Sequence, residues 1–105
     1  MNSDRTQLSK ILIVDDKQEN LFATQSILKK FDAEIFTALS GSDALSLLLR
    51  HEFALAVLDV RMPDMDGFEL AELMRSNKDT MNIPIIFVTA ISKSQKYSCR
   101  QPVSQ

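Results

Sequence analysis

The sequence has little that would bridge, anchor or steer it. Cys99 is the only cysteine, so no disulfide framework is possible within one chain. No apolar run approaches the length needed to span a bilayer. The opening stretch from Met1 to Gln7 is polar and lacks the apolar segment of a secretory leader. A formal charge of −2 is too small to imply a nucleic-acid or membrane partner. The expected setting is therefore cytoplasmic. At 105 residues there is no room for a second hydrophobic core, while 45% hydrophobic and 25% charged residues suit one globular domain.

The apolar residues are grouped by two different periods. Ile11 to Val14 is apolar on both faces, which suits a central strand of a parallel sheet, and Asp15-Asp16 ends it. From about Lys17 to Phe31, Leu21, Thr24, Leu28 and Phe31 fall at helical spacing. A second strand is predicted over 34–38. Ser40 to Asp43 supplies cap-type residues, and Ala44, Leu47, Leu48 and His51 continue as a helix, with His51 at its carboxyl end. Ala54 to Leu58 reads as a third buried strand stopped by Asp59. Val60 to Gly67 is a loop by composition, and Phe68 to Ser76 a helix with Leu70, Leu73 and Met74 on one side. Ile83 to Val88 is a fourth strand beginning around Pro84, and Thr89 ends it.

Strands and helices thus alternate, which predicts right-handed βαβ units: an α/β fold with a parallel sheet and helices on both faces. Binding crevices in such sheets lie at the carboxyl ends of the strands. Asp15, Asp16, Asp59 and Thr89 each lie at such an end, so all four are expected at one edge. Three carboxylates that close repel one another, and a cation among them relieves the repulsion. Oxygen ligands in a shallow, open site favour Mg²⁺. Any one of these residues alone would be a turn former or helix cap; their joint placement argues for a site. Lys17, after the pair, either leans over the site or is a solvated first-turn lysine, the plainer reading. Met62, Met65 and Met74 read as loop anchors or core filler.

Three segments carry a specific resemblance. They are Ile11-Leu12-Ile13-Val14-Asp15-Asp16, Val57 to Gly67 with its Asp59-Val60-Arg61-Met62-Pro63-Asp64-Met65-Asp66-Gly67 run, and Pro84 to Ala90. Together they resemble the receiver domain of two-component response regulators, over about residues 10–91. The resemblance implies a flavodoxin-like, doubly wound sheet. It implies Asp59 as acceptor of a phosphoryl group from a histidine kinase, a phosphotransfer protein or a small phosphodonor. It also implies Mg²⁺ held by Asp16 and Asp59 directly, by Asp15 mainly through a bound water and by the Arg61 backbone carbonyl. Thr89 would contact the phosphoryl oxygens and switch rotamer. Such a domain is no enzyme beyond its own phosphorylation and dephosphorylation. Gly67 is expected to permit the turn that closes the loop behind Asp59, and Pro63 to restrict that loop.

The family pattern breaks after Ala90. A fifth strand ending in Lys-Pro, and a last helix, are missing from the sequence given. The tail 92–105 is polar and atypical, as after a truncation or a reading-frame shift, and 1–9 is a polar lead-in. Lys93 or Lys96 would have to replace the absent lysine at the phosphoryl group, though nothing in their spacing requires it. An exposed fourth strand would then favour self-association through the sheet edge or face. Two other functions compete: a receiver remnant that binds partners or itself without phosphotransfer, and a Mg²⁺-dependent phosphohydrolase. The second needs an Asp-x-Asp arrangement, which Asp59-Val60-Arg61 lacks.

Overall fold

A computed structural model describes residues 8–88. Thr89, the tail from 92 to 105 with Lys93, Lys96 and Cys99, and most of the lead-in lie outside the described residues. Within them the elements run β1 (Ser9–Val14), α1 (Gln18–Leu28), β2 (Ala33–Ala38), α2 (Gly41–Arg50), β3 (Leu55–Asp59), α3 (Gly67–Ser76) and β4 (Ile85–Val88). The strands form one sheet in the order β2-β1-β3-β4, and every pairing is parallel. The chain therefore steps outward from β1 to β2, then crosses back to β3 on the other side. That reversal opens a crevice at the carboxyl ends of β1 and β3. This is the expected flavodoxin-like sheet. No helix among the described residues is long and apolar enough to cross a membrane.

Alternation along β1 divides the core into two. Leu12 and Val14 join Ala56, Leu58, Ala44, Leu48, Leu70 and Met74 beneath α2 and α3. Ile11 and Ile13 join Val57 and Leu21 beneath α1. Successive strand residues point to opposite faces, so β1 must be apolar throughout to serve both layers. Leu12, Leu58 and Leu70 are fully buried.

Several boundaries differ from the periodic reading. The helical bonding of α1 ends with the Lys29 N–H to the Gln25 carbonyl, and the chain turns into β2 through Phe31 and Ala33. Phe31 therefore leaves the helix and is 58% exposed rather than buried. Leu73 is 45% exposed, because α3 turns Leu70 and Met74 inward and Leu73 away from them. His51 has extended backbone and only caps α2 with its N–H. Its ring lies 4.5 Å from that of Phe36, and its Nδ1 is 3.2 Å from the Lys10 ammonium. Pro84 stands just ahead of β4, where its carbonyl accepts from Ala56. At the outer end of the described sheet, Ile86, Phe87 and Val88 are partly exposed.

Two helices begin on strong caps. Ser40 Oγ accepts from the Asp43 N–H at 3.1 Å. Asp66 accepts from the Glu69 N–H at 2.9 Å, while Glu69 accepts from the Asp66 N–H at 3.0 Å, a reciprocal capping box. These caps fix where the loops before α2 and α3 end.

Candidate phosphoryl and metal site

The register of the sheet assembles the acidic cluster. Val14 pairs with Leu58, so Asp15 follows β1 beside the point where Asp59 closes β3. Asp59 is itself the last residue of β3, opposite Val88, rather than the residue that stops it. The carboxylates of Asp15, Asp16 and Asp59 each offer an oxygen within 4.8 Å of the others. This is the gathering at one edge that the strand-end placement predicts. Thr89 follows Val88, the register partner of Asp59, but lies outside the described residues. Arg61 stands two residues beyond Asp59, and its backbone N–H favours the ionised Asp59 carboxylate.

The three carboxylates are held differently. Asp15 Oδ1 accepts from the Lys17 N–H at 3.0 Å and from Asn20 Nδ2 at 3.4 Å, which orients it from the start of α1. Asp16 Oδ1 is buried and has no hydrogen-bond partner among the described residues. Asp59 is 3% exposed. Burial pushes its carboxyl above the usual carboxylate range, and the charge of Asp15 adds to this. The Arg61 N–H opposes the rise, Asp16 reinforces it, and the Lys17 ammonium opposes it again.

A buried carboxylate oxygen without a donor is costly, and three negative groups this close raise the cost. One small hard cation coordinated by oxygen would satisfy Asp16 and offset the repulsion together. The donor set, all carboxylate, fits Mg²⁺.

The raised Asp59 carboxyl has a consequence for the metal-free protein. Between the ordinary value of 3.8 and the raised folded value, the folded state keeps a proton that the unfolded chain has lost. This group's contribution to stability therefore falls as pH rises through that window. In chelator, Asp59→Asn is expected to gain stability relative to the wild type as pH rises through it. Urea denaturation at a series of pH values reads the difference; a constant difference would contradict the assignment.

Gly67 owes its place to close approach. Its φ is not positive, so no left-handed turn is required of it. A Cβ there would instead press on the Asp59 carbonyl oxygen, lying 3.0 Å from its carbon and 3.1 Å from Val60 Cα. These are backbone atoms and cannot swing aside, and the Gly67 N–H bonds the Val60 carbonyl at 3.1 Å. Gly67→Ala is expected to cost about 1–3 kcal/mol in urea denaturation and to disturb the Asp59 loop. Unchanged stability would show that the loop can yield. Gly41 has a softer constraint, since its neighbour is the Met65 side chain.

Asn20 and the close approach at Gly67 have no signal in spacing alone. The Asp66 to Glu69 spacing does carry one, since an N-cap acid with Glu three residues on is a helix-start pattern.

The family model described as the response regulator receiver domain matches residues 11–100. Over 74 residues the chain is 46% identical to histidine kinase 3 of Arabidopsis thaliana, covering 70% of this chain and 7% of that protein. It is 34% identical over 83 residues to the response regulator PleD of Caulobacter vibrioides, covering 79% of this chain and 18% of that one. The chain thus spans under a fifth of the length of these curated relatives. Its structure is similar to that of TrrA of Thermotoga maritima, solved in complex with Mg²⁺ and BeF. The TM-score is 0.73 at 30% identity, over 90% of this chain and 83% of that one. It is also similar to Vibrio cholerae CheY4, with a TM-score of 0.73 at 28% identity, over 89% and 80% of the two chains.

Proposed function

The chain belongs to the response regulator receiver domain family, and on that premise we propose that it relays a signal by taking a phosphoryl group onto Asp59. The observation that carries this reading is the buried Asp59 carboxylate at the end of β3, grouped with Asp15 and Asp16. Receiver domains are signalling modules of two-component systems, and their partners are histidine kinases or phosphotransfer proteins. Such a partner, or a small phosphodonor, is the proposed source here.

In the proposed step an Asp59 oxygen forms a bond to phosphorus as the bond from phosphorus to the donor breaks. The electron pair of the broken bond leaves with the donor. Asp59 becomes a mixed anhydride of a carboxylic and a phosphoric acid, which water later returns to carboxylate and phosphate. The protein's own contribution is positioning. The end of β3 places the Asp59 carboxylate, while the Lys17 N–H and Asn20 fix Asp15. Asp15, Asp16 and Asp59, with the Arg61 carbonyl, would hold Mg²⁺. When bound, the ion neutralises charge on the carboxylates and the phosphoryl group, without which an anionic nucleophile attacks an anionic centre poorly. Thr89 is proposed to give its hydroxyl to the phosphoryl oxygens.

The reading is supported by the likeness to TrrA, which was solved with Mg²⁺ and BeF. The alternative of a binding module without phosphotransfer is not favoured by these matches. Titration with Mg²⁺ and beryllofluoride, followed by thermal melting, tests the site. The wild type is expected to be stabilised by about 2.7 kcal/mol at a hundredfold excess over the dissociation constant. Asp59→Asn is expected to show no added effect of beryllofluoride. An equal response in both proteins would remove Asp59 as the binding group.

A further inference from the structure

We infer that Met65 is a positioning residue of the Asp59 site, its side chain wedged against Gly41 so that the start of α2 sets the loop between β3 and α3. The inference rests on the reading of Asp59 with Asp15 and Asp16 as a Mg²⁺-dependent site, and adds what holds its loop. Arg61, Pro63 and Asp64 of that loop are exposed, while Met62 and Met65 pack against the core beneath α2 and α3. Met65 also rests on the backbone of α2. A Cβ built on Gly41 would lie 2.6 Å from Met65 Sδ and 3.1 Å from both Cβ and Cγ of Met65, its nearest atoms outside its own helix. The φ of Gly41 is not positive, so its backbone does not call for glycine. Glycine is a poor helix residue. Room for Met65 is what it supplies here.

The wall that Met65 meets is rigid. Gly41 opens α2 directly after Ser40, whose Oγ accepts from the Asp43 N–H at 3.1 Å and whose carbonyl accepts from the Ala44 N–H at 3.0 Å. It is therefore the backbone of a capped helix and cannot swing aside. On the other side the connection to the acceptor is short. Met65 stands two residues before Gly67. The Gly67 N–H bonds the Val60 carbonyl at 3.1 Å, and a Cβ on Gly67 would lie 3.0 Å from the Asp59 carbonyl carbon. A shift of Met65 is passed through Asp66 and Gly67 to the backbone of Asp59 and Val60, and Arg61 moves with them. The Arg61 carbonyl is one of the groups proposed to hold Mg²⁺. A methionine suits the wedge, because its unbranched side chain fills an irregular gap closely. A group that orients a metal ligand without touching the ion commonly changes metal affinity by about 10–100-fold.

The test is a double-variant cycle on the full chain: wild type, Gly41→Ala, Met65→Ala and the two together, with Asp59→Asn as control. Mg²⁺ alone is titrated by calorimetry, and uptake from acetyl phosphate is followed by intact mass. In chelator, hydrogen exchange at the Gly67 N–H is read by nuclear magnetic resonance, and stability by thermal melting. Each single variant is expected to weaken Mg²⁺ binding about tenfold and to quicken exchange at Gly67. The rise in the Mg²⁺ needed for half-maximal uptake should exceed the fall in the saturated rate. The methyl added at position 41 fills space vacated at position 65, so the double variant should lose no more than Met65→Ala alone. Losses that multiply, to about a hundredfold, would show that the two residues act independently and would overturn the inference. So would single variants that melt lower in chelator yet bind Mg²⁺ as the wild type does, since that marks packing without positioning. Wild-type affinity and exchange in both single variants would overturn it as well. If the wild type takes up no phosphoryl group, or Asp59→Asn takes up as much, the acceptor reading fails, while the Mg²⁺ and exchange cycles still decide the role of Met65.

Discussion

Asp59→Asn is expected to abolish phosphoryl uptake altogether while leaving the protein folded. The amide lacks the anionic oxygen that forms the bond to phosphorus, so the loss should be complete rather than graded. Its shape is nearly that of the carboxylate, so it fits the same place at the end of β3. It also removes one of three clustered negative charges from a position only 3% exposed. The metal-free variant should therefore be at least as stable as the wild type at neutral pH. Intact mass after incubation with a small phosphodonor and Mg²⁺ reads the first effect, and urea denaturation the second. Uptake that survives in the variant would place the acceptor elsewhere. A variant that unfolds would mean that the ionised carboxylate supports the fold instead of straining it.

Leu58→Ala is expected to produce the largest loss of stability, about 2–5 kcal/mol. Leu58 is fully buried, lies one residue before the acceptor, and pairs with Val14 on one side and Phe87 on the other. Its side chain fills the layer beneath α2 and α3 with Leu12, Leu70 and Met74. Removing it opens a cavity in the strand that positions Asp59. A domain of this size holds only about 5–15 kcal/mol in total, so the variant should be partly unfolded at 37 °C. Urea denaturation followed by far-ultraviolet circular dichroism measures it, which suits a chain with no tryptophan. A cost below about 1 kcal/mol would show that the core collapses around the gap.

Much of this architecture is legible before any coordinates. Ile11 to Val14 must face two apolar layers because both alternating sets are apolar, and the two sets do enter separate clusters. Parallel strands place their carboxyl ends on one edge, so Asp15, Asp16 and Asp59 meet there. Other features depend on partners that periodicity cannot name. Asp59 belongs to β3 because Val88 pairs with it, a contact set by the neighbouring strand. Phe31 falls on the rhythm of α1, yet the chain has turned toward β2 before reaching it. His51 is likewise on rhythm but finds Lys10 and Phe36, from strands distant in sequence. Gly67 carries a motif signal, but the reason for glycine there is the Asp59 backbone, and only the folded chain shows it.

The central claim is that Asp59 carries the phosphoryl group. Treating the wild-type protein with acetyl phosphate and Mg²⁺, then with borohydride, reduces an acyl phosphate to an alcohol and marks its position permanently. Peptide mapping by mass spectrometry should then find that reduction at residue 59 and at no other carboxylate. A mark on Asp15, Asp16 or another residue, or no mark at all, would contradict the account.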